Sequence, residues 1–180
     1  MLKIAIVGNI ASGKSTVEKI IQDKGYQVFD TDIIAHKILE NNKDVEKFFQ
    51  TNDRKELAKI VFSDPEKLKL LESIIHPLVK QELENIFAKD YEVVFVSVPQ
   101  LFEAGFEKLF DKIIYITADE KIRKDRLIKR NNLLPDEAQK RIDAQKETGK
   151  KEKSDYVIKN NGDYLSLENS VTDMILKLHL

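Results

Sequence analysis

At 180 residues the chain is long enough for one sizeable α/β core and short for two ordinary domains, so a single domain carrying an insertion is expected. Thirty Lys and Arg against 31 Asp and Glu leave a net charge of -1, which gives no bulk electrostatic reason for a nucleic-acid or anionic-membrane partner. Cysteine is absent, which excludes disulfides and thiolate metal sites, and with no signal-peptide pattern and no long apolar run the chain reads as soluble and cytoplasmic.

Runs of β-branched and apolar residues predict strands at 2–7, 27–29, 92–98, 112–117 and 156–159. Between them apolar residues recur at spacings of three and four. Val17, Ile20 and Ile21 mark a first helix, Ile33, Ile34, Ile38 and Leu39 a second, and Leu167, Val171, Met174, Ile175 and Leu178 the last. The regular alternation of strand and helix, with VVFVSV at 93–98 apolar on both faces, predicts an α/β fold: a three-layer α/β/α phosphate-loop architecture around a five-stranded parallel sheet.

Residues 42–90 carry helical patterns and no strand signal, so they read as a helical substrate-binding insertion in a core formed by 1–41, 91–118 and 154–180. Pro77 lacks an N–H and disfavours helical geometry at the residue before it, so a helix break is expected near His76. Residues 119–153 hold eight Lys and four Arg against four Asp and four Glu, a local net of +4 in a chain of net -1. Their place after the fourth strand predicts a helical lid over bound phosphates.

The segment GNIASGKST at 8–16 matches G-x-x-x-x-G-K-[ST] with a strand before it and a helix after it. Gly8 and Gly13 permit backbone geometry that other residues resist, so N–H groups of Ala11, Ser12, Gly13, Lys14, Ser15 and Thr16 can point at phosphates. Lys14 is expected to reach the β- and γ-phosphates of ATP, and the Ser15 hydroxyl to ligate Mg²⁺.

Phosphate-loop hydrolases place a carboxylate at the end of a later strand, but the third strand here ends Phe95-Val96-Ser97-Val98-Pro99. The nearest acids are Asp30 and Asp32 in VFDTDIIAH. In extended chain both project to one side, where one of them can accept a proton from an attacking hydroxyl and lean toward Mg²⁺. Asp32 is alternatively the N-cap of a helix starting at Ile33. Without a guanine-reading N-K-x-D or the missing acid, a small-molecule kinase remains.

At this point the residues resemble the dephospho-coenzyme A kinase family. VFDTDIIAH is similar to the family's D-x-D-x-x-A element, and the stretch from Asp53 to Val79 looks like its substrate-binding helices, with Arg54, Phe62, Leu71, His76 and Pro77 in register. VSVPQLFEAGFEKLFDKIIYI resembles its V-P-L-L-F-E segment, RLIKRNNLLPDEAQKRIDAQ its lid and SDYVIKNNG its closing strand. The resemblance implies transfer of the γ-phosphoryl of ATP to the 3′-hydroxyl of the ribose of dephospho-coenzyme A, the last step of coenzyme A synthesis. It implies Asp32 as the catalytic carboxylate, a general base toward the 3′-hydroxyl and Mg²⁺ partner, Arg126 on ATP and Arg130 as a catalytic cation, with Arg141 a further lid arginine. Arg54 and His76 are candidate substrate contacts, and Pro99 and Glu103 shape the crevice wall. The competing expectations are a shikimate-like or nucleoside kinase, and an ATP-binding switch or scaffold.

Overall fold

The computed structural model describes residues 1–145 and 149–180. Residues 146–148 of the expected lid lie outside the described residues. Five parallel strands form one sheet in the order β2-β3-β1-β4-β5, where β1 is Leu2–Gly8, β2 Gln27–Asp30, β3 Val93–Ser97, β4 Lys112–Thr117 and β5 Tyr156–Lys159. Ile4 pairs with Phe95 on one side and Lys112 on the other, so β1 is central. Ile4, Ala5, Ile6 and Val7 are all fully buried, as a strand covered on both faces requires.

The chain divides into two compact units, Met1–Phe29 with Glu92–Leu180, and Asp30–Tyr91. In the first, helices α1 (Lys14–Asp23) and α8 (Tyr164–Lys177) cover the sheet. Val17, Ile20 and Ile21 of α1 and Leu167, Val171, Met174 and Ile175 of α8 pack on Ile4, Ile6, Phe95, Ile114 and Ile116. Each fully buried aliphatic side chain contributes about 1.5–3 kcal/mol. Tyr26 meets Phe95 edge-on, ring centroids 5.6 Å apart.

Asp155 sets the register of β5. Its N–H donates to the Ile113 carbonyl, and its carboxylate accepts from the Ile113 N–H and from Lys112, each at 2.9 Å. Burial pushes the Asp155 carboxyl up, but the Lys112 ammonium and the Ile113 N–H outweigh it and hold the group below its ordinary value. Helices α6 (Glu120–Asn131) and α7 (Pro135–Asp143) form a hairpin around Leu127, Ala138 and Ile142.

The second unit is helical throughout: α2 (Thr31–Glu40), α3 (Lys43–Phe49), α4 (Arg54–Phe62) and α5 (Pro65–Phe87). Helices α2, α3 and α4 all pack on α5. The unit begins at Asp30, where the sequence suggested a start at residue 42, because α2 is committed to α5. Asp30, Asn42, Asp53 and Asp64 cap the four helices with side-chain oxygens.

The break expected at Pro77 does not occur. Helix α5 runs 23 residues through it. Ile75, Val79, Leu83 and Ile86 are buried on one continuous stripe, and burying that stripe outweighs the one backbone hydrogen bond that proline forfeits.

Candidate active site

The turn from β1 to α1 is held in an uncommon conformation. Ala11 has φ 58° and Gly13 φ 94°, both left-handed, and the Ser12 N–H donates to the Asn9 carbonyl at 3.0 Å. A side chain at Gly8 would meet the Ile116 carbonyl and Ser12 Oγ, each at 2.8 Å, and one at Gly13 would run into Asn160 Nδ2. Glycine is therefore required at both places by space, and at Gly13 by backbone geometry too. Gly13 starts α1 without a side-chain cap, whereas α2 to α5 and α8 each have one. The first-turn N–H groups of α1 thus face the loop, where an anion is favoured by donors and dipole together.

Lys14 reaches over this turn. Its Nζ pairs with Glu18 Oε1 at 2.7 Å, one helical turn on, and donates to Ser97 Oγ. Ser97, fully buried, closes β3 at the position where the sequence shows no acid. Ser15 is exposed, with its hydroxyl on the first turn of α1, and the Thr16 N–H donates to the Gly13 carbonyl at 3.0 Å. Ser12 Oγ is buried with no hydrogen-bond partner among the described residues. Left-handed backbone, uncapped amides and one lysine fit a triphosphate.

The helical hairpin lies on the loop. Ile10 and Ala11 pack against Leu127, Ala138 and Ile142, and the Ile10 N–H donates to Gln145 Oε1 at 2.7 Å. Arg126 of α6 donates through Nη1 to the carbonyls of Ala11 (3.4 Å) and Ser12 (3.3 Å), and through Nη2 to Asn160 O (3.1 Å) and Oδ1 (3.3 Å). Arg130, one turn further, is exposed and donates to Asn131 Oδ1 at 3.0 Å. Arg141 is exposed near the end of α7. Of Arg126, Arg130 and Arg141, the three arginines singled out from the sequence, the structure brings Arg126 onto the loop.

The start of α6 is tied to the end of β5. Asp119 accepts from Lys159 at 2.9 Å and from Asn161 Nδ2 at 2.7 Å, and its N–H donates to Asn161 Oδ1 at 2.9 Å. Lys159 and then Asn161 hold the Asp119 carboxyl below its ordinary value. Glu103 pairs with Lys150, whose side chain is only 5% exposed, at 2.8 Å. Pro99 is half-buried just after β3.

In the helical unit the two acids of VFDTDIIAH have different positions from those expected. Asp30 Oδ1 accepts from the N–H groups of Asp32 (2.7 Å) and Ile33 (3.4 Å), so Asp30 is the cap and α2 starts at Thr31. The capping alternative for Asp32 is thereby overturned. The chain turns helical right after Asp30, so extended-strand geometry no longer relates the two carboxylates. Asp32 is exposed in the first turn of α2, where the helix dipole favours its negative charge. Arg54 is exposed at the first position of α4, behind the Asp53 cap, and His76 is half-buried in mid-α5.

Glu18, Ser97, Gln145 and Asn160 were not singled out from sequence. Glu18 carries a readable signal, its i,i+4 spacing from Lys14. The others meet the loop across long stretches of chain and leave no local pattern.

A family model described as dephospho-CoA kinase matches residues 2–166. The chain belongs to the dephospho-CoA kinase family. A dephospho-CoA kinase of Lactobacillus johnsonii is 36% identical, with 97% of each chain covered. A crystal structure from Thermus thermophilus is similar at TM-score 0.85 and 34% identity, covering 98% of this chain and 97% of that one. The dephospho-CoA kinase of Campylobacter jejuni has TM-score 0.74 at 32% identity, covering 98% and 96%. A shikimate kinase from Bacteroides thetaiotaomicron, at TM-score 0.63 and 16% identity, shares the fold alone.

Proposed function

We propose that this dephospho-CoA kinase family member is an ATP-dependent phosphotransferase that moves the γ-phosphoryl group of ATP to the 3′-hydroxyl of the ribose of dephospho-coenzyme A, giving coenzyme A and ADP. The donor half rests on one observation: a phosphate loop with Ala11 and Gly13 left-handed, α1 uncapped and Lys14 beside it. The acceptor half rests on the family match over residues 2–166. The family places the shikimate-like or nucleoside kinase alternative, and the switch or scaffold, behind this reaction.

In the proposed reaction the ribose 3′-oxygen forms a bond to the γ-phosphorus as the bond from that phosphorus to the β,γ-bridging oxygen breaks, and ADP leaves with the electron pair. Asp32 takes the hydroxyl proton. The transition state is loose, so positioning and charge neutralisation carry more of the rate than the base does. Amides of residues 11–16 cradle the donor, Lys14 leaves Glu18 and Ser97 for the β- and γ-phosphates, and Arg126 adds positive charge from the lid. Arg130, exposed on the same helix, is assigned to the developing charge, and Arg54 and His76 to the acceptor.

When bound, Mg²⁺ would supply positive charge to offset that of the transferring phosphates. Ser15, with an exposed first-turn hydroxyl, and Asp32 would hold it. Among the described residues no three His, Cys, Asp or Glu side chains form an all-protein cage, and a phosphate-held, partly hydrated ion needs none. Among the described residues no helix is long and apolar enough to cross a membrane, and we assign the protein to the cytoplasm with its small-molecule substrates.

The test is ADP formation from Mg-ATP with dephospho-coenzyme A, shikimate, adenosine or no acceptor. Turnover stimulated by the first acceptor alone is expected. Equal turnover in all four would sink the proposal.

A further inference from the structure

Asn160 is the first residue after β5 and is only 6% exposed. Its backbone N–H donates to the Thr117 carbonyl at 2.7 Å, extending the β4–β5 ladder by one step. The side chain turns toward the phosphate loop. Nδ2 donates to the Ser12 carbonyl at 2.8 Å, a buried hydrogen bond spanning 148 positions, while Oδ1 and the backbone carbonyl accept from Arg126 Nη2. A carbonyl can only accept and a guanidinium can only donate, so the orientation of the amide is forced.

Gly13 confirms how tightly this group is seated, since a methyl there would overlap Asn160 Nδ2. The Ser12 peptide lies between the two left-handed residues, Ala11 and Gly13, and its orientation sets where the following amides point. Arg126 is held beside the loop by four oxygens of uncharged groups, two on the loop and two on Asn160.

We propose that Asn160 is a positioning residue for nucleotide binding: one carboxamide fixes the Ser12 peptide of the phosphate loop and aims Arg126 at the bound phosphates. The position needs a donor and an acceptor on one short planar group. Aspartate lacks the donor and adds an anion beside Arg126, alanine lacks both, and glutamine adds a methylene where Gly13 leaves no room. Asn161 anchors Asp119 at the base of α6, so two adjacent asparagines hold the lid helix, one at its base and one at Arg126. This inference rests on the loop being the ATP site.

The test is calorimetric titration of the full chain and its Asn160→Asp and Asn160→Ala variants with Mg-ATP, with steady-state kinetics and thermal melting alongside. Both variants are expected to weaken ATP binding about tenfold to a hundredfold and to raise KM for ATP in step. KM for dephospho-coenzyme A should stay within about twofold, since Asn160 touches only donor-side groups. Adding Arg126→Ala to Asn160→Ala should cost less than the product of the two single losses, because one acts through the other. Asn160→Asp keeps size and shape and decides the matter if the alanine variant does not fold. ATP affinity unchanged in Asn160→Asp, equal weakening of both substrates, or failure of both variants to fold would each overturn the inference. Failure of the natural chain to bind ATP would overturn the nucleotide site and this inference with it.

Discussion

Lys14 is paired with Glu18 at 2.7 Å, both side chains being largely covered (19% and 13% exposed), so phosphate must compete with a carboxylate for the same ammonium. Replacing Glu18 by Gln keeps the hydrogen bond and removes the charge. ATP binding should tighten by up to about fivefold, read by calorimetry. Weaker binding would instead make Glu18 a supporting member of the site. Asp30, not Asp32, caps α2, which leaves the Asp32 carboxylate for the proposed role as base. Asp32→Asn should lower kcat by about 10²–10⁴-fold with ATP affinity within a few-fold, checked by steady-state kinetics beside calorimetry. Undiminished turnover would remove Asp32 from the mechanism. Gly13→Ala meets both a left-handed φ and Asn160, so it should cost about 1–3 kcal/mol of stability and abolish ATP binding.

At the scale of elements, α5 and the β5–α6 junction make separate predictions. Pro77 is exposed inside a 23-residue helix that its neighbours hold together. Pro77→Ala restores a backbone donor, so thermal melting should rise, by a stability gain on the order of 1–3 kcal/mol. A fall in Tm would show that the proline geometry is needed for α5 packing. Asp119, held low by Lys159 and Asn161, binds a proton less readily folded than unfolded. Its contribution is therefore complete above the ordinary aspartate range and is lost as pH falls through the lower folded value, below about 4. Asp119→Asn should flatten the acid limb of a melting-versus-pH curve. All five strands were legible because each is a short apolar run between turn residues, and β4 and β5 fall at 112–117 and 156–159 as expected. The helix through Pro77 was not legible, since the stripe that sustains it gains its energy from neighbours far along the chain. Nor was the cap at Asp30, because both aspartates fit a helix start and only hydrogen bonds distinguish them.

Over the whole molecule, the donor and acceptor halves are carried by different information. The phosphate loop is a local motif: Gly8 ends β1, Ala11, Ser12 and Gly13 lie on the turn, and Lys14, Ser15 and Thr16 open α1. Its support is non-local: Ser97 from β3, Arg126 from α6, Gln145 after α7 and Asn160 after β5. Spacing cannot reveal such partners, because the sheet order β2-β3-β1-β4-β5 brings together strands that are far apart in sequence. The acceptor was legible only through family-like elements, VFDTDIIAH above all, whose two acids fall in the helical unit, as do Arg54 and His76.

The direct test is identification of the product formed from Mg-ATP and dephospho-coenzyme A by ³¹P and ¹H NMR. A new phosphomonoester coupled to the ribose 3′ proton, formed one-for-one with ADP, is the predicted result. ADP with free inorganic phosphate, or a phosphate on any other hydroxyl, would contradict it.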